Sequence, residues 1–379
     1  MPARSALSRQ MKKNTLPYLL GILFLFLASC SPQTVAPLLS QSTPTDLPAT
    51  QTSPPLTATI PPSPPAPISL PPAEFSTNAL RVGISPASYI ENSCQYLAQR
   101  WDPEKSLPGT VVAPIMFHGI VPSGETPGDP AHINLDTFNA IVSLAKELGF
   151  ETITSEELLG FLSFNDAIAP RAMILILDDR RPGTAEQYFL AINKEQDWTT
   201  TLAWPIGDTD SRTGLWEQIE AVYNTGYFDI QSHGLQHNVY LPSLSTEETK
   251  EEIRGSIPIL EEHFGQTPIA YIWPGGIFNE LGIQVASESG FELGFTVYSR
   301  GPIQFNWIPQ GEEELEYGAP LLTLPRFWSS AALLNLQQTA ALGDEARLFA
   351  QENYLTEAAW YQENCGAELA PLSDIFKSN

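Results

Sequence analysis

Four titratable side chains in two short segments have the types and spacing to hold a metal ion and use it. The segment QSHGLQHN (residues 231–238) carries His233 and His237, four positions apart, and LILDDR places Asp178 and Asp179 directly after an apolar run. Two imidazoles and one carboxylate leave open positions on a divalent metal, which is typical of catalytic centres. A neighbouring carboxylate can then take a proton, so the set predicts metal-assisted hydrolysis.

Each segment taken alone has a simpler interpretation. The histidine pair fits a coincidence on a polar loop, and the aspartate pair fits a helix N-cap followed by a solvated carboxylate. The order of the surrounding elements decides between the interpretations, because four such residues can act together only if the fold brings both segments to one place.

Strand-like and helix-like segments alternate from residue 111 onward. AMILILDD is a continuous apolar run, the pattern of a strand buried on both faces, and YFDIQSH reads as a later strand. This order predicts a mostly parallel sheet covered by helices. About eight strand candidates favour a distorted (β/α) barrel of about seven to eight strands, in which chemistry occurs at the carboxyl ends of the strands.

The motifs together resemble the polysaccharide deacetylase family, a group of divalent-metal carbohydrate esterases. PIMFHGI is similar to the family's strand ending in Tyr-His, LILDDR to its TFDDG motif, SHGLQH to its His-Ser/Thr-x-x-His segment and WPGG to its PYG-like turn. The similarity covers roughly residues 110 to 330 and is strongest to the branch that acts on surface poly-N-acetylglucosamine.

The resemblance implies a role for each matched position. One divalent metal, with zinc as first choice and nickel or cobalt as alternatives, would be held by Asp179, His233 and His237. Asp178 would be the catalytic base. His118 is a candidate acid for the leaving amine, or else a core histidine satisfied by a backbone carbonyl. Substrate contacts are expected from Trp273, Pro274, Gly275 and Arg326. Trp204, Trp273 and Trp328 lie near strand ends, where they could stack on sugars or simply pack.

Three positions depart from the family pattern. Arg180 replaces the Gly after the aspartate pair, Gly234 replaces the Ser/Thr after the first His, and Ile272 replaces an Arg that commonly orients the base. Arg326 could instead pair with Asp178 from a neighbouring strand and replace the missing Arg. These changes leave the ligand set intact and affect proton transfer more than metal binding.

The expected activity is metal-dependent deacetylation of a surface or cell-wall polysaccharide that contains N-acetylglucosamine. Two alternatives stay open: a weak or inactive deacetylase-fold lipoprotein that binds polysaccharide, and an O-deacetylase of acetylated glycans. The complete ligand set favours an enzyme, whereas the changes at Arg180, Gly234 and Ile272 favour a binding module.

The N-terminal residues read as an export signal followed by a tether. A basic start and the 13-residue apolar run LPYLLGILFLFLA end in LASC, which resembles a lipobox. We expect residues 1–29 to be a lipoprotein signal peptide and Cys30 to carry lipid, the alternative being an ordinary secretory signal. Residues 30–75, rich in Pro, Ser and Thr, predict a disordered tether. The protein would be exported and anchored on the outer face of the cytoplasmic membrane or in the outer envelope.

The net charge and the two remaining cysteines indicate which partners and which cross-link to expect. The net charge of -24 argues against nucleic acid as a partner. We expect a monomer with a lead-in at 76–110, a barrel at 111–335 and a C-terminal extension at 336–379 that packs on it. Cys94 and Cys365 predict a disulfide in an exported protein, or else two buried free thiols.

The tether assignment predicts that residues 31 to about 75 are dispensable for folding. Limited proteolysis should cut within them and leave a stable core, because their composition cannot bury enough apolar surface to offset the entropy of ordering. A collapse of thermal stability on deleting this segment would contradict the assignment.

Overall fold

The computed structural model describes residues 71–376. The expected signal peptide at residues 1–29, Cys30 and residues 30–70 of the expected tether lie outside this part of the chain. Within the described residues there are twelve strands: β1 (Ser85–Ala87), β2 (Val111–Phe117), β3 (Ile120–Val121), β4 (Ile133–Asn134), β5 (Glu151–Thr152), β6 (Arg171–Asp178), β7 (Thr200–Trp204), β8 (Phe228–Ser232), β9 (Ala270–Ile272), β10 (Leu293–Phe295), β11 (Ile308–Gln310) and β12 (Phe327–Trp328).

Helices fill most of the connections between these strands. They are α1 (Ser93–Arg100), α2 (Leu135–Glu147), α3 (Ser155–Phe164), α4 (Pro182–Thr184), α5 (Leu190–Gln196), α6 (Leu215–Tyr223), α7 (Thr246–Arg254), α8 (Ser256–Phe264), α9 (Glu280–Glu288), α10 (Glu312–Tyr317), α11 (Ala332–Cys365) and α12 (Leu372–Ile375), with a π turn at Ala185–Phe189.

The main sheet is parallel throughout and curls on itself. Its strands follow the order β10-β9-β8-β7-β6-β2-β12, and β5 pairs with the start of β6. At one end, Phe295 of β10 forms a parallel bridge with Leu324, three residues before β12 begins at the other end. The chain therefore forms a distorted (β/α) barrel, and the predicted fold class is confirmed.

Strand β6 shows how the sequence divides the core into two. Its residues Ala172, Ile174 and Ile176 belong to the apolar cluster inside the curled sheet. Its residues Met173, Leu175 and Leu177 belong to the cluster shared with the covering helices. Because side chains alternate along a strand, the inner row continues to Asp178, which places a carboxylate inside the barrel at the carboxyl end of β6.

The connection before β9 consists of two helices, α7 and α8, separated by a break. Ser245 and Glu248 form a capping box at the start of α7. The helix breaks at Gly255, between α7 and α8 and three residues before Pro258. Pro258 thus occupies the first turn of α8, where its missing N–H costs little.

The two ends of the described chain pack together beside the barrel. Phe75, the last residue assigned to the tether, is buried against Trp307 and Phe349, so the packed chain begins before residue 76. The long helix α11 runs through the expected boundary at 335, and its first half contacts β2 and α2. No helix within residues 71–376 is both long and apolar enough to cross a membrane.

Cys94, at the start of α1, and Cys365, at the end of α11, form a disulfide 271 residues apart. Beside it, the ring of Trp101 lies edge-on to Tyr354 at 4.9 Å, and its indole N–H donates to the buried carboxylate of Glu357. The bond therefore fastens the lead-in to the C-terminal helix.

Replacing both cysteines with serine should lower the free energy of unfolding by roughly 4–5 kcal/mol in the chain-entropy account, because the unfolded chain loses a very long covalent loop. Denaturant unfolding of the wild type and the double variant measures the difference. Peptide mapping without reductant should recover the linked peptides, and two separately alkylated thiols in exported protein would exclude the bond.

Candidate metal centre

Three strand ends bring the chemistry-bearing side chains to one edge of the barrel. Asp178 ends β6 and Asp179 follows it, His233 follows β8, and His118 follows β2. One ligand atom from each of Asp179, His233 and His237 lies within 4.8 Å of the other two. His237 Nε2 is 3.1 Å from His233 Nε2 and 3.4 Å from Asp179 Oδ1.

A change of backbone direction lets adjacent aspartates serve the same site. In a regular strand Asp178 and Asp179 would point to opposite faces. Asp179 instead has φ of 73°, in the left-handed region that aspartate tolerates better than most residues. The turn brings the Asp179 carboxylate toward the histidines while Asp178 keeps its inward direction.

The tautomer of His233 is fixed by a backbone carbonyl. Its Nδ1 lies 2.7 Å from the carbonyl oxygen of Ile272, so Nδ1 carries the proton and donates it. Nε2 then presents a lone pair toward His237 and Asp179, the arrangement found in metal-binding histidines. Burial lowers the pKa of His233 to about 4, which keeps the ring neutral and able to act as a ligand.

The loop between the two histidines is held by Glu252 of α7. Its carboxylate accepts hydrogen bonds from the backbone N–H of Gln236 at 2.9 Å and of Asn238 at 3.0 Å. Gly234 has φ of 86°, and a Cβ there would come within 2.3 Å of Glu252 Oε1. The family's hydroxyl-bearing residue is thus absent at 234 because the Glu252 carboxylate occupies that space and ties the loop instead.

Arg181 constrains the remaining ligand. Its Nη2 lies 3.0 Å from Asp179 Oδ2, which leaves Oδ1 facing His237. Asp179 is therefore prepared to bind through one oxygen. Burial raises the pKa of the Asp179 carboxyl, but His233, His118, Arg181 and His237 outweigh burial, so the net shift is downward and the carboxylate is ionised. This donor set, two imidazoles and one carboxylate, fits a divalent metal such as zinc.

Asp178 is paired with Arg326 inside the barrel. Arg326 Nη1 donates to Asp178 Oδ1 at 2.7 Å, and Arg326 Nε donates to the carbonyl of Thr296 at 2.7 Å. Arg326 has no exposed surface, and the structure has the alternative pairing with Asp178 that the sequence suggested. Ile272 is itself buried in the inner core, where an arginine would have no room.

The charge state of Asp178 follows from this pairing. Burial alone would raise the pKa of Asp178. The opposing effects of Arg326, His233 and His118 are together larger, so the pKa lies below its usual range. Its Oδ2 is 3.9 Å from His233 Nε2 and 3.8 Å from His118 Nε2. Asp178 is thus an ionised carboxylate with one oxygen held by Arg326 and the other facing the metal-binding cluster.

His118 forms the far side of the site. Its ring stacks on Trp328 with centroids 6.1 Å apart and planes inclined by 10°. Nδ1 is buried and accepts or donates no hydrogen bond among the described residues, so the interpretation as a core histidine satisfied by a backbone carbonyl does not hold. Burial lowers the pKa of His118. The ring is therefore a partly accessible acid–base group directed at Asp178.

The WPGG turn, from which substrate contacts are expected, is mostly buried. Trp273 is fully buried and its indole N–H donates to the carbonyl of Leu322 at 2.8 Å, so its ring does not face a sugar. Pro274 is buried as well, and Gly275 alone of the three is exposed. Trp204 is buried too, whereas Trp328 is partly exposed. The turn supplies backbone surface rather than an aromatic platform.

Glu252 is the site residue that sequence reasoning missed. It lies in the acidic run EETKEEIRG, where nothing distinguishes it from its exposed neighbours except the helical phase that turns it inward. A helical-wheel reading of α7, with Thr249, Glu252 and Ile253 on the buried side, is the signal that was available.

Comparisons with known proteins agree with this geometry. Residues 167–294 match the family model described as polysaccharide deacetylase. YxkH of Bacillus subtilis, whose name assigns it to the polysaccharide deacetylases, is 21% identical over 184 residues, 48% of this chain, and the match spans 63% of that protein's length.

Two solved structures match this chain, and the first of them shows the same fold. The Streptococcus pyogenes deacetylase PplD in complex with acetate matches with a TM-score of 0.51 and 22% identity, covering 62% of this chain and 99% of that one. IcaB from Ammonifex degensii matches with a TM-score of 0.49 and 17% identity over 63% of this chain and 99% of its own.

The position of Glu252 predicts an effect on metal affinity. Glu252→Ala should weaken zinc binding by about 10–100-fold, the usual effect of removing a partner that orients the ligands. Glu251→Ala is the matched control, because Glu251 is exposed on the same helix. Titration of the metal-free protein with zinc against a competing chelator measures both. Equal zinc affinities in folded Glu252→Ala and wild type would show that the loop does not depend on this carboxylate.

Proposed function

We propose that this protein, whose residues 167–294 match the polysaccharide deacetylase family model, is a divalent-metal-dependent hydrolase that removes acetyl groups from N-acetylglucosamine units of a surface or cell-wall polysaccharide. The observation that carries the proposal is the convergence of Asp179, His233 and His237 beside the buried Asp178–Arg326 pair. Such a site joins a ligand set to a separate ionised base.

The residues divide the reaction between them. A divalent metal held by Asp179, His233 and His237 would polarise the acetyl carbonyl and make water a better nucleophile. Asp178 takes a proton from water as the water oxygen attacks the carbonyl carbon. Arg326 holds one Asp178 oxygen, so the other oxygen is directed at the reacting centre.

The amide nitrogen must gain a proton as the carbon–nitrogen bond breaks. We assign this role to His118, whose Nε2 lies on the same side of Asp178 as the ligand histidine. Burial lowers its pKa, so the resting ring is neutral. It takes the proton that Asp178 removed from water and passes it to the nitrogen, which leaves Asp178 ionised again. Trp328 supports the ring from behind by stacking. An ester substrate would depend less on His118, because an alkoxide leaving group needs less help.

The choice of a glucosamine polymer rests on motif order and on charge. The His118, Asp178–Asp179, His233–His237 and WPGG segments follow the order of the poly-N-acetylglucosamine branch they resemble. A chain with a net charge of -24 is suited to a neutral polymer and to the cationic product of N-deacetylation. Lipid attachment at Cys30, export to the outer face of the membrane and a monomeric state belong to the same proposal.

The second candidate function is a polysaccharide-binding module, which one observation favours. Arg181 neutralises the ligand carboxylate of Asp179, which weakens the attraction of the site for a metal ion. Under this alternative the protein holds polysaccharide without turnover.

Two variants test the assignment of roles. Asp178→Asn should keep the metal and reduce acetate release by about 10²–10⁴-fold, because an amide cannot take the proton. His233→Ala should lose both metal and activity, because a ligand is removed. Acetate release from an N-acetylglucosamine oligomer and metal content per chain are the two measurements.

Asp166→Asn serves as the control carboxylate, because its side chain is half exposed and pairs with Lys105, away from the site. Undiminished acetate release by Asp178→Asn would contradict the mechanism. Normal metal content in the wild type with no acetate from any acetylated glycan would favour the binding module.

A further inference from the structure

Two tyrosines project into solvent from the edge of the barrel that carries the site. Tyr240 is 72% exposed and Tyr298 is 42% exposed, and they follow β8 and β10 respectively. Within residues 71–376 the single other aromatic side chain in this exposed class is Phe164, at the end of α3 and near the opposite end of β6. Two of these three exposed aromatic side chains therefore follow strands whose carboxyl ends face the site.

A glycine pair in the loop after β9 brings the two tyrosines close to either side of it. A Cβ on Gly275 would lie 3.2 Å from Val239 Cγ1, and a Cβ on Gly276 would lie 2.4 Å from Val297 Cγ2. Both glycines have positive φ, 61° and 72°. Val239 and Val297 directly precede Tyr240 and Tyr298, so the loop is packed between the two segments that carry the rings.

Each tyrosine is tied to a residue of the reaction site. Tyr240 lies three residues after His237, and its backbone N–H donates to Asn238 Oδ1, while Asn238 is held by Glu252. The carbonyl of Tyr298 accepts from the backbone N–H of Arg326, the partner of Asp178. The ring positions are thus set by the ligand loop on one side and by the base's partner on the other.

We propose that Tyr240 and Tyr298 are sugar-stacking subsites that bind pyranose rings of the polymer on either side of the unit being deacetylated; this inference rests on the proposed function. A tyrosine ring offers an apolar face to the C–H face of a sugar and a hydroxyl to the surrounding water. The exposed Gly275 between them has no side chain, which leaves room for the polymer to pass over the loop. Two weak stacking contacts separated in this way select for chain length, because a short glycan reaches only one of them.

Binding of N-acetylglucosamine oligomers to metal-loaded protein tests the subsites without interference from turnover if Asp178→Asn is the parent. In that background, Tyr240→Ala and Tyr298→Ala should each weaken binding of the pentamer by roughly 3–10-fold, in line with the strength of single ring contacts. The loss should be smaller for the dimer. Tyr→Phe at either position should recover most of the affinity, because the ring face is kept.

Phe164→Ala is the matched control and should bind the pentamer as the parent does. Equal pentamer affinity in the parent and both alanine variants would overturn the proposal, and so would phenylalanine variants as weak as the alanine ones. Acetate release by the wild type, measured separately on the same pentamer, distinguishes a failure of the subsite proposal from a failure of the proposed deacetylase activity. Tyrosine-dependent binding without acetate release would support the subsites and contradict the deacetylase activity. Acetate release with affinities unchanged in the alanine variants would support the activity and contradict the subsites.

Discussion

The buried ion pair between Asp178 and Arg326 is the constraint on which the site and the closure of the barrel both depend. A carboxylate inside an apolar barrel is unstable without a compensating charge, and removing one partner of such a pair typically costs about 3–5 kcal/mol. Arg326 meets Asp178 from β6 while its Nε and backbone N–H bond to carbonyls just after β10. Arg326 therefore keeps Asp178 ionised and also joins the two ends of the curled sheet.

Two functions that the family motif assigns to particular positions have moved to other elements in this chain. The arginine expected at 272 is supplied by Arg326, which directly precedes β12, because Ile272 fills the inner core. The support expected from a hydroxyl at 234 is supplied by Glu252 from α7, which requires that 234 be glycine. Each substitution makes sense only with its replacement, so the departures from the motif do not by themselves argue for a degenerate site.

Patterns along the chain predicted the parallel sheet and the proximity of the ligand set, because these follow from local periodicity and from the geometry of parallel strands. These patterns did not predict the direction of side chains at the strand ends. The inward turn of Asp179 depends on one backbone angle, and the burial of Trp273 depends on a hydrogen bond to Leu322 some fifty residues away. Glu252 was not identified and Phe75 fell within the predicted tether, because the residues that each contacts are brought to it only by folding.

The most direct test of this account is an anomalous difference map from crystals soaked with zinc, recorded at the zinc edge. The account predicts one peak bonded to Asp179 Oδ1, His233 Nε2 and His237 Nε2, with Asp178 outside bonding distance and still paired with Arg326. A peak bonded to Asp178, or a zinc-soaked crystal with no peak among these three atoms, would contradict the division of the two aspartates into ligand and base.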